Sequence, residues 1–296
     1  MPPDEVSLLK MLTGHWSCSK AVHTGVGDDC AVLHRDRRRL LLLKTDAVVE
    51  GRHFSADEKP ARIGAKALNR VLSDIAAMGG TPSAAVITVM APPSLSPRRL
   101  KAIYRGLERA AHTCGVDLVG GELTAAPHFA LSVAMTGYCS AAHLVLRSGA
   151  KCGDTLLVTG RLGGSFASGR HLDFTPRLRE AAWLVRHFKP SAMMDLSDGL
   201  GADLPRLAAA SGLHFQIDLP GLPLHRGCTV SQALAEGEDY ELLMAVPARK
   251  TAPLRTAWKR RFPKIPLTPI GKFVSLSIPS TPMPHGFDHF RKPQPR

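Results

Sequence analysis

Aromatic residues are scarce, at 5% of 296 positions, and no apolar run approaches the roughly 18 residues of a membrane-spanning helix. The longest candidates, such as Ala84–Ala91, are strand-sized. The six cysteines (Cys18, Cys30, Cys114, Cys139, Cys152, Cys228) stand far apart with no CxxC, and the thirteen histidines form no HExxH. That spacing argues against a zinc site and against a disulfide framework. The usual phosphate and nucleophile signatures are also missing: there is no GxxxxGK[ST] and no GxSxG. Gly25-Val26-Gly27 is too short to signal a dinucleotide fold. His34-Arg35-Asp36 spells a protein-kinase triplet, but Leu41 stands where the Asn is required and no DFG follows. The N-terminal stretch places acids before a short apolar segment without a cleavage pattern, so it is not expected to be a secretory signal. No fixed-period repeat is present.

What remains is globular material. Hydrophobic residues are 44% and charged residues 21%, enough for one large or two medium domains with real cores. Twenty-six Gly and 23 Pro favour tight turns and close backbone approaches. The formal charge is +13, yet the basic residues are spread out, the densest runs being Arg35–Arg39, Arg98–Lys101 and Lys259–Arg261. Without a concentrated basic face or interleaved aromatics, a nucleic-acid partner is not expected. A basic surface biased toward anionic small molecules is. Scattered, unpatterned thiols fit a reducing cytoplasm.

The patterning reads as mixed α/β. Arg39–Lys44 predicts a buried strand running into Thr45-Asp46. Ala61–Met78 predicts a helix, with Ile63, Ala67, Val71, Ile75 and Met78 at helical spacing and Gly79-Gly80 ending it. Ala84–Met90 predicts a strand. Ser96-Pro97 opens a helix running to Gly115, and the alternation across Phe129–Cys139 predicts a half-buried strand. Arg147–Asp154 reads as a junction between an N-terminal part, 1–146, and a C-terminal part, 147–296. In the second part the sequence predicts a strand at Thr155–Thr159, a turn at Gly160, Gly163 and Gly164, and two helices. An acidic motif at Asp195–Leu200 follows, then a helix over Leu200–Ala210 and strands near His214–Asp218 and Tyr240–Val246. The tail after Pro279 predicts irregular chain.

The acids keep unusual company. Asp28-Asp29 follow a glycine, Asp46 follows an apolar strand, and Asp195 and Asp198 lie within one turn beside Gly199. Asp74 falls at the edge of a helix's apolar stripe, where an unpaired carboxylate is costly. Any one of these is ordinarily a turn or cap residue. Together, as short acidic motifs at the ends of strands and helices, they suit magnesium shared with substrate phosphates. At this level both readings stand.

The motifs GVGDDCAVL, KTDAVVEGRHF, KALNRVLSDIAAMGGTP, VGGELTAAP, LRSGAKCGDTLLVTG, MDLSDGLGADL, EGEDYELLMAV, PIGKF and GFDHF, in this order from Gly25 to His289, resemble the thiamine-monophosphate kinase family. It belongs to the superfamily of aminoimidazole ribonucleotide synthetase and selenophosphate synthetase. The resemblance implies a two-domain α/β protein, with a dimerising N-terminal domain and a C-terminal domain that closes over nucleotide. It implies direct transfer of the ATP γ-phosphoryl to thiamine monophosphate with several Mg²⁺ ions. The implied metal ligands are Asp29, Thr45, Asp46, Asp74, Glu122, Asp195 and Asp198, with Asp28 in support. Gly120, Gly121, Arg147 and Ser197 match positions that contact nucleotide; His53, Glu238 and Phe287 match positions that face the thiamine substrate.

Four positions depart from the family pattern: Lys44 replaces Ser or Thr, Val71 replaces Asn, Glu122 replaces Asp and Ala125 replaces Arg. One reading is a reshuffled ion count, with the Lys44 ammonium in place of a cation and Glu122 still reaching another. The other is a chain that binds thiamine phosphate or ATP without turnover. Ser17-Cys18-Ser19-Lys20 faintly resembles the selenophosphate synthetase loop, but Lys20 lies seven residues before Gly27, where that loop stands well upstream.

Overall fold

The protein is described from a computed structural model over residues 4–36, 38–284 and 286–287. Arg37 and the last residues of the GFDHF motif, Asp288, His289 and Phe290, lie outside the described residues.

In chain order the elements are α1 (Glu5–Thr13), β1 (Val22–Thr24), β2 (Ala31–His34), β3 (Arg39–Val49), α2 (Pro60–Ala77), β4 (Thr81–Ala91), α3 (Pro97–Cys114), β5 (Asp117–Ala125) and β6 (Ala130–Ser140). There follow β7 (Thr155–Thr159), α4 (Arg170–Asp173), α5 (Leu178–His187), β8 (Ala192–Asp195), α6 (Leu200–Ala210), β9 (His214–Ile217), α7 (Val230–Ala235), β10 (Leu242–Val246), α8 (Ala248–Arg261) and β11 (Leu267–Val274). The first six strands form one sheet in the order β1-β2-β3-β6-β4-β5, and the last five form another in the order β8-β10-β7-β11-β9. Among the strands of the described residues only β4 and β5 pair in parallel, with α3 as their crossover.

Strand periodicity sorts the first sheet into two faces. Leu40, Leu42 and Val48 of β3, Leu131, Val133 and Met135 of β6, and Ile87 and Val89 of β4 point inward onto α2 and α3. Leu43 and Val86 point the other way and stay 44% and 42% exposed. The leucine run of β3 is therefore half-buried rather than buried throughout as its sequence predicts. Helices α2 and α3 cross through glycines. A Cβ on Gly64 would lie 2.0 Å from the Ile103 carbonyl oxygen, and one on Gly106 would lie 1.9 Å from that of Ala61.

The second sheet is covered on both sides. Leu200, Leu204 and Leu207 of α6 pack one face with Phe273 and Ile270. Leu184 and Val185 of α5 and Leu254 and Trp258 of α8 pack the other, and Ala76 and Ala77 from the end of α2 join that same cluster. Among the described residues no helix is long and apolar enough to cross a membrane.

Candidate active site

Three carboxylates from distant segments meet where α2 touches the second sheet. Asp29 sits in the turn before β2, Asp74 in the last turn of α2, and Asp195 at the end of β8. Each offers an oxygen, and all three oxygens lie within 4.8 Å of one another. All three residues are buried. Such crowding is costly without counter-charge. Burial first, and Asp29 next, push Asp195 up to about 6. Burial also holds Asp74 well above the usual carboxylate range, against the pull of Lys44.

The surroundings supply partial relief. Asp29 Oδ1 accepts from Arg147 Nε at 3.0 Å. Asp74 Oδ1 accepts from Lys44 Nζ at 2.9 Å. Asp195 Oδ2 accepts from the Ser73 hydroxyl at 2.6 Å. Asp28 braces the turn: its two oxygens accept from the backbone N–H groups of Asp29 and Arg147, each at 3.0 Å. Burial and the neighbouring Asp29 raise Asp28 to about 6. Asp29 Oδ2 is buried and has no hydrogen-bond partner. A buried carboxylate oxygen without a partner, on one of three carboxyl groups that converge, is chemically suited to a hard divalent cation, so the donor set fits magnesium.

Asp46 and Asp198 flank this cluster as ion pairs rather than joining it. Asp46 Oδ2 accepts from Arg70 Nε at 3.0 Å, and Arg70 also donates to the Ala47 carbonyl at 3.1 Å. Asp198 pairs with Arg206. Arg206 also reaches Asp203 at 2.9 Å, and the second oxygen of Asp203 accepts from Ser197 N and Asp198 N at 3.0 and 2.9 Å. Asp203 thus ties down the Ser197-Asp198 turn from the first turn of α6.

Beside the acids opens a pocket lined by His53, Arg70, Phe166, Glu238, Tyr240 and Phe287, with Arg52, Ser197, Asp198 and Glu236 completing the wall. The Val49 N–H donates to His53 Nδ1 at 3.1 Å, so that nitrogen is unprotonated and the ring's proton belongs on Nε2. Glu238 forms an ion pair with Lys66, whose Nζ also donates to the His53 carbonyl at 2.7 Å. Burial pulls the Lys66 ammonium down to about 8 against the opposing carboxylate. Glu238 and Tyr240 have φ of 56° and 51°, left-handed values unusual for non-glycine residues and common in site loops. Tyr240 stacks on Phe174 with centroids 3.8 Å apart, and its hydroxyl is buried without a partner.

Thr45 and Glu122 fall elsewhere. Strand alternation turns Thr45 to the face opposite Lys44 and Asp46, where its hydroxyl meets Ser132 Oγ at 3.3 Å. Its side chain therefore does not enter the acid cluster. Glu122 is exposed on edge strand β5, opposite Thr88 of β4, and does not join the three carboxylates. Gly120 and Gly121 lie in the same strand, and a Cβ on Gly121 would sit 1.9 Å from the Ile87 carbonyl oxygen. The sequence reading missed Lys66, Arg70, Asp203 and Arg206. Asp203 stands five residues after Asp198 in one motif and was the most accessible of them; the cations had no spacing to mark them.

Comparison with known proteins points in one direction. Residues 27–139 match the family model AIR synthase related protein, N-terminal domain. The chain is 34% identical to thiamine-monophosphate kinase of Salmonella typhimurium, over 92% of this chain and 93% of that protein. It is 34% identical to the Rhodopirellula baltica enzyme of that name, over 91% and 89%. It superposes on a solved structure of AaThiL complexed with AMPPCP and TMP with TM-score 0.83, at 30% identity and 97% coverage of both chains.

Proposed function

This chain belongs to the thiamine-monophosphate kinase family, and on that premise we propose that it transfers the ATP γ-phosphoryl directly to thiamine monophosphate. The bond from the γ-phosphorus to the β,γ-bridging oxygen breaks, a bond to an acceptor phosphate oxygen forms, and ADP and thiamine diphosphate leave. The acceptor oxygen is the nucleophile, so positioning and charge neutralisation carry the catalysis.

The carrying observation is the meeting of Asp29, Asp74 and Asp195, with the orphaned Asp29 Oδ2, beside an aromatic and acidic pocket. These carboxylates would hold magnesium there, and the ion would supply counter-charge to the phosphates. The chain's own groups do the rest. Phe166, Tyr240 and Phe287 offer ring faces, and Glu238 and Asp198 offer negative charge, to a cationic thiazolium. His53 lines the same wall, and Arg52 and Arg70 present positive charge to an anionic phosphate. Arg147 and Ser197 belong to the nucleotide side in this reading.

We further assign the N-terminal part to 1–146 and the C-terminal part to 147–296, and a homodimer formed through the outer face of the first sheet. The exposed Leu43 and Val86 support that face. Thr45, Gly120 and Glu122 share it, so their roles toward metal or nucleotide depend on a second copy. Six unpaired cysteines suit the cytoplasm.

The test is purified protein with ATP, Mg²⁺ and thiamine monophosphate, followed by chromatography of thiamine diphosphate and ADP. Equal amounts of both products are expected, with a fall of at least a hundredfold for Asp195→Asn. Binding of both substrates without thiamine diphosphate would refute the kinase assignment in favour of a binding module.

A further inference from the structure

Four cations already stand against the acid centre: Arg147 on Asp29, Lys44 on Asp74, Arg70 on Asp46 and Arg206 on Asp198. Arg70 and Arg206 are each held by two acceptors. They lock Asp46 and Asp198 at the rim. Lys44 and Arg147 are different, because their partners, Asp74 and Asp29, are themselves two of the three converging carboxylates. Of the two, Arg147 spreads its charge over a guanidinium and engages only Asp29 Oδ1, whereas Lys44 sets a compact ammonium on Asp74. Lys44 projects from the inner face of β3, between Leu42 and Asp46, straight at the end of α2. No other described residue supplies an ion pair to Asp74.

An ammonium 2.9 Å from Asp74 Oδ1 and a divalent ion on the same carboxylate repel each other strongly in a buried site. Asp29 Oδ2, in contrast, has no hydrogen-bond partner, since Arg147 donates to Oδ1 of that carboxylate. We propose that Lys44 is a resident counter-ion that keeps a second divalent cation off Asp74, so that the nucleotide-free protein binds a single divalent ion on Asp29 and Asp195. This rests on the kinase reading only for the ion's identity as magnesium. The ammonium is delivered by the strand and is present before any metal arrives, so the cluster is already partly neutral in the resting protein. Lys44 is therefore a positioning residue that sets ion number.

The experiment counts ions without turnover. Mn²⁺ is titrated into nucleotide-free protein, with free Mn²⁺ followed by electron paramagnetic resonance and heat by calorimetry. One ion per chain is expected for wild type, one for Lys44→Arg, and two for Lys44→Ala. Asp29→Asn should weaken the wild-type ion at least tenfold. Two or more ions, or none, on the wild type would overturn the proposal, as would a folded Lys44→Ala that binds like wild type. If Lys44→Ala does not fold, Lys44→Gln, which keeps most of the side chain without its charge, is counted in its place: two ions are expected, and one overturns the proposal. Formation of thiamine diphosphate by the same preparations is scored separately. One bound ion with no product refutes the acceptor assignment alone; two bound ions with product refute the role of Lys44 alone.

Discussion

Lys66 offers the sharpest test of how the two halves of the molecule are joined. It lies on α2, its side chain is 0% exposed, and its ammonium is paired with Glu238, which is 10% exposed at the side chain, on the loop before β10. Replacing Lys66 by Met removes one partner and strands a buried carboxylate. Breaking such a pair costs about 3–5 kcal/mol. At roughly 2.1 cal/mol/K of unfolding entropy per residue, a chain of this length loses about 5–8 °C in Tm. Glu238→Gln in the Lys66→Met background removes the stranded charge and should restore most of the loss. Differential scanning fluorimetry and urea unfolding of the four proteins complete a double-mutant cycle. A single-variant loss below about 1 kcal/mol, or a double variant whose loss is the sum of the two single losses, would show that the pair is not the buried link argued from its geometry.

Two further outcomes follow from the loops and the helix crossing. Burial raises Asp239 to about 7, against two contacts from the Gly163 N–H at 3.1 Å. The folded form therefore holds a proton that the unfolded chain releases near 3.8. The stability this contributes is complete below that value and is lost as pH rises through 7. Asp239→Asn should accordingly gain roughly 1–3 kcal/mol on wild type between pH 5 and 8.5; parallel Tm curves across that range would contradict it. Gly106→Ala drives a methyl against the Ala61 backbone, 1.9 Å from its oxygen, so neither neighbour can move as a side chain could. A loss of about 3 kcal/mol is expected, read as a Tm lower by about 5 °C, together with reduced kinase activity because α2 bears Lys66 and Asp74. An unchanged Tm would show that the helices separate freely.

Much of this architecture is legible in the residues. The helix over 61–78 appears as α2 at Pro60–Ala77, and the opening at Ser96-Pro97 appears as α3, closed by Gly115 in the left-handed conformation. Ser96 makes no side-chain cap bond, so the proline and not the serine carries that start. The strands at 155–159 and the helix at 200–210 match their segments. Strand β5 was hidden because Gly120, Gly121 and Glu122 read as loop; its pairing with β4 overrides their low strand preference. Helix α8 was hidden by Pro253 and a weakly apolar pattern, since it buries only Leu254 and Trp258. At the site, acids announce themselves because buried carboxylates need an explanation. The partners Arg70, Lys66 and Arg206 look like ordinary surface cations until the fold turns them inward.

Helix α2 has a further implication. Its middle packs into the first sheet's core, its last alanines enter the second sheet's core, and Ser73 bonds to Asp195 across the junction. A rod set in both cores resists bending at the junction between them, and the loop bearing Glu238 is pinned to the same rod through Lys66. The acid cluster and the pocket wall should therefore keep one register through turnover.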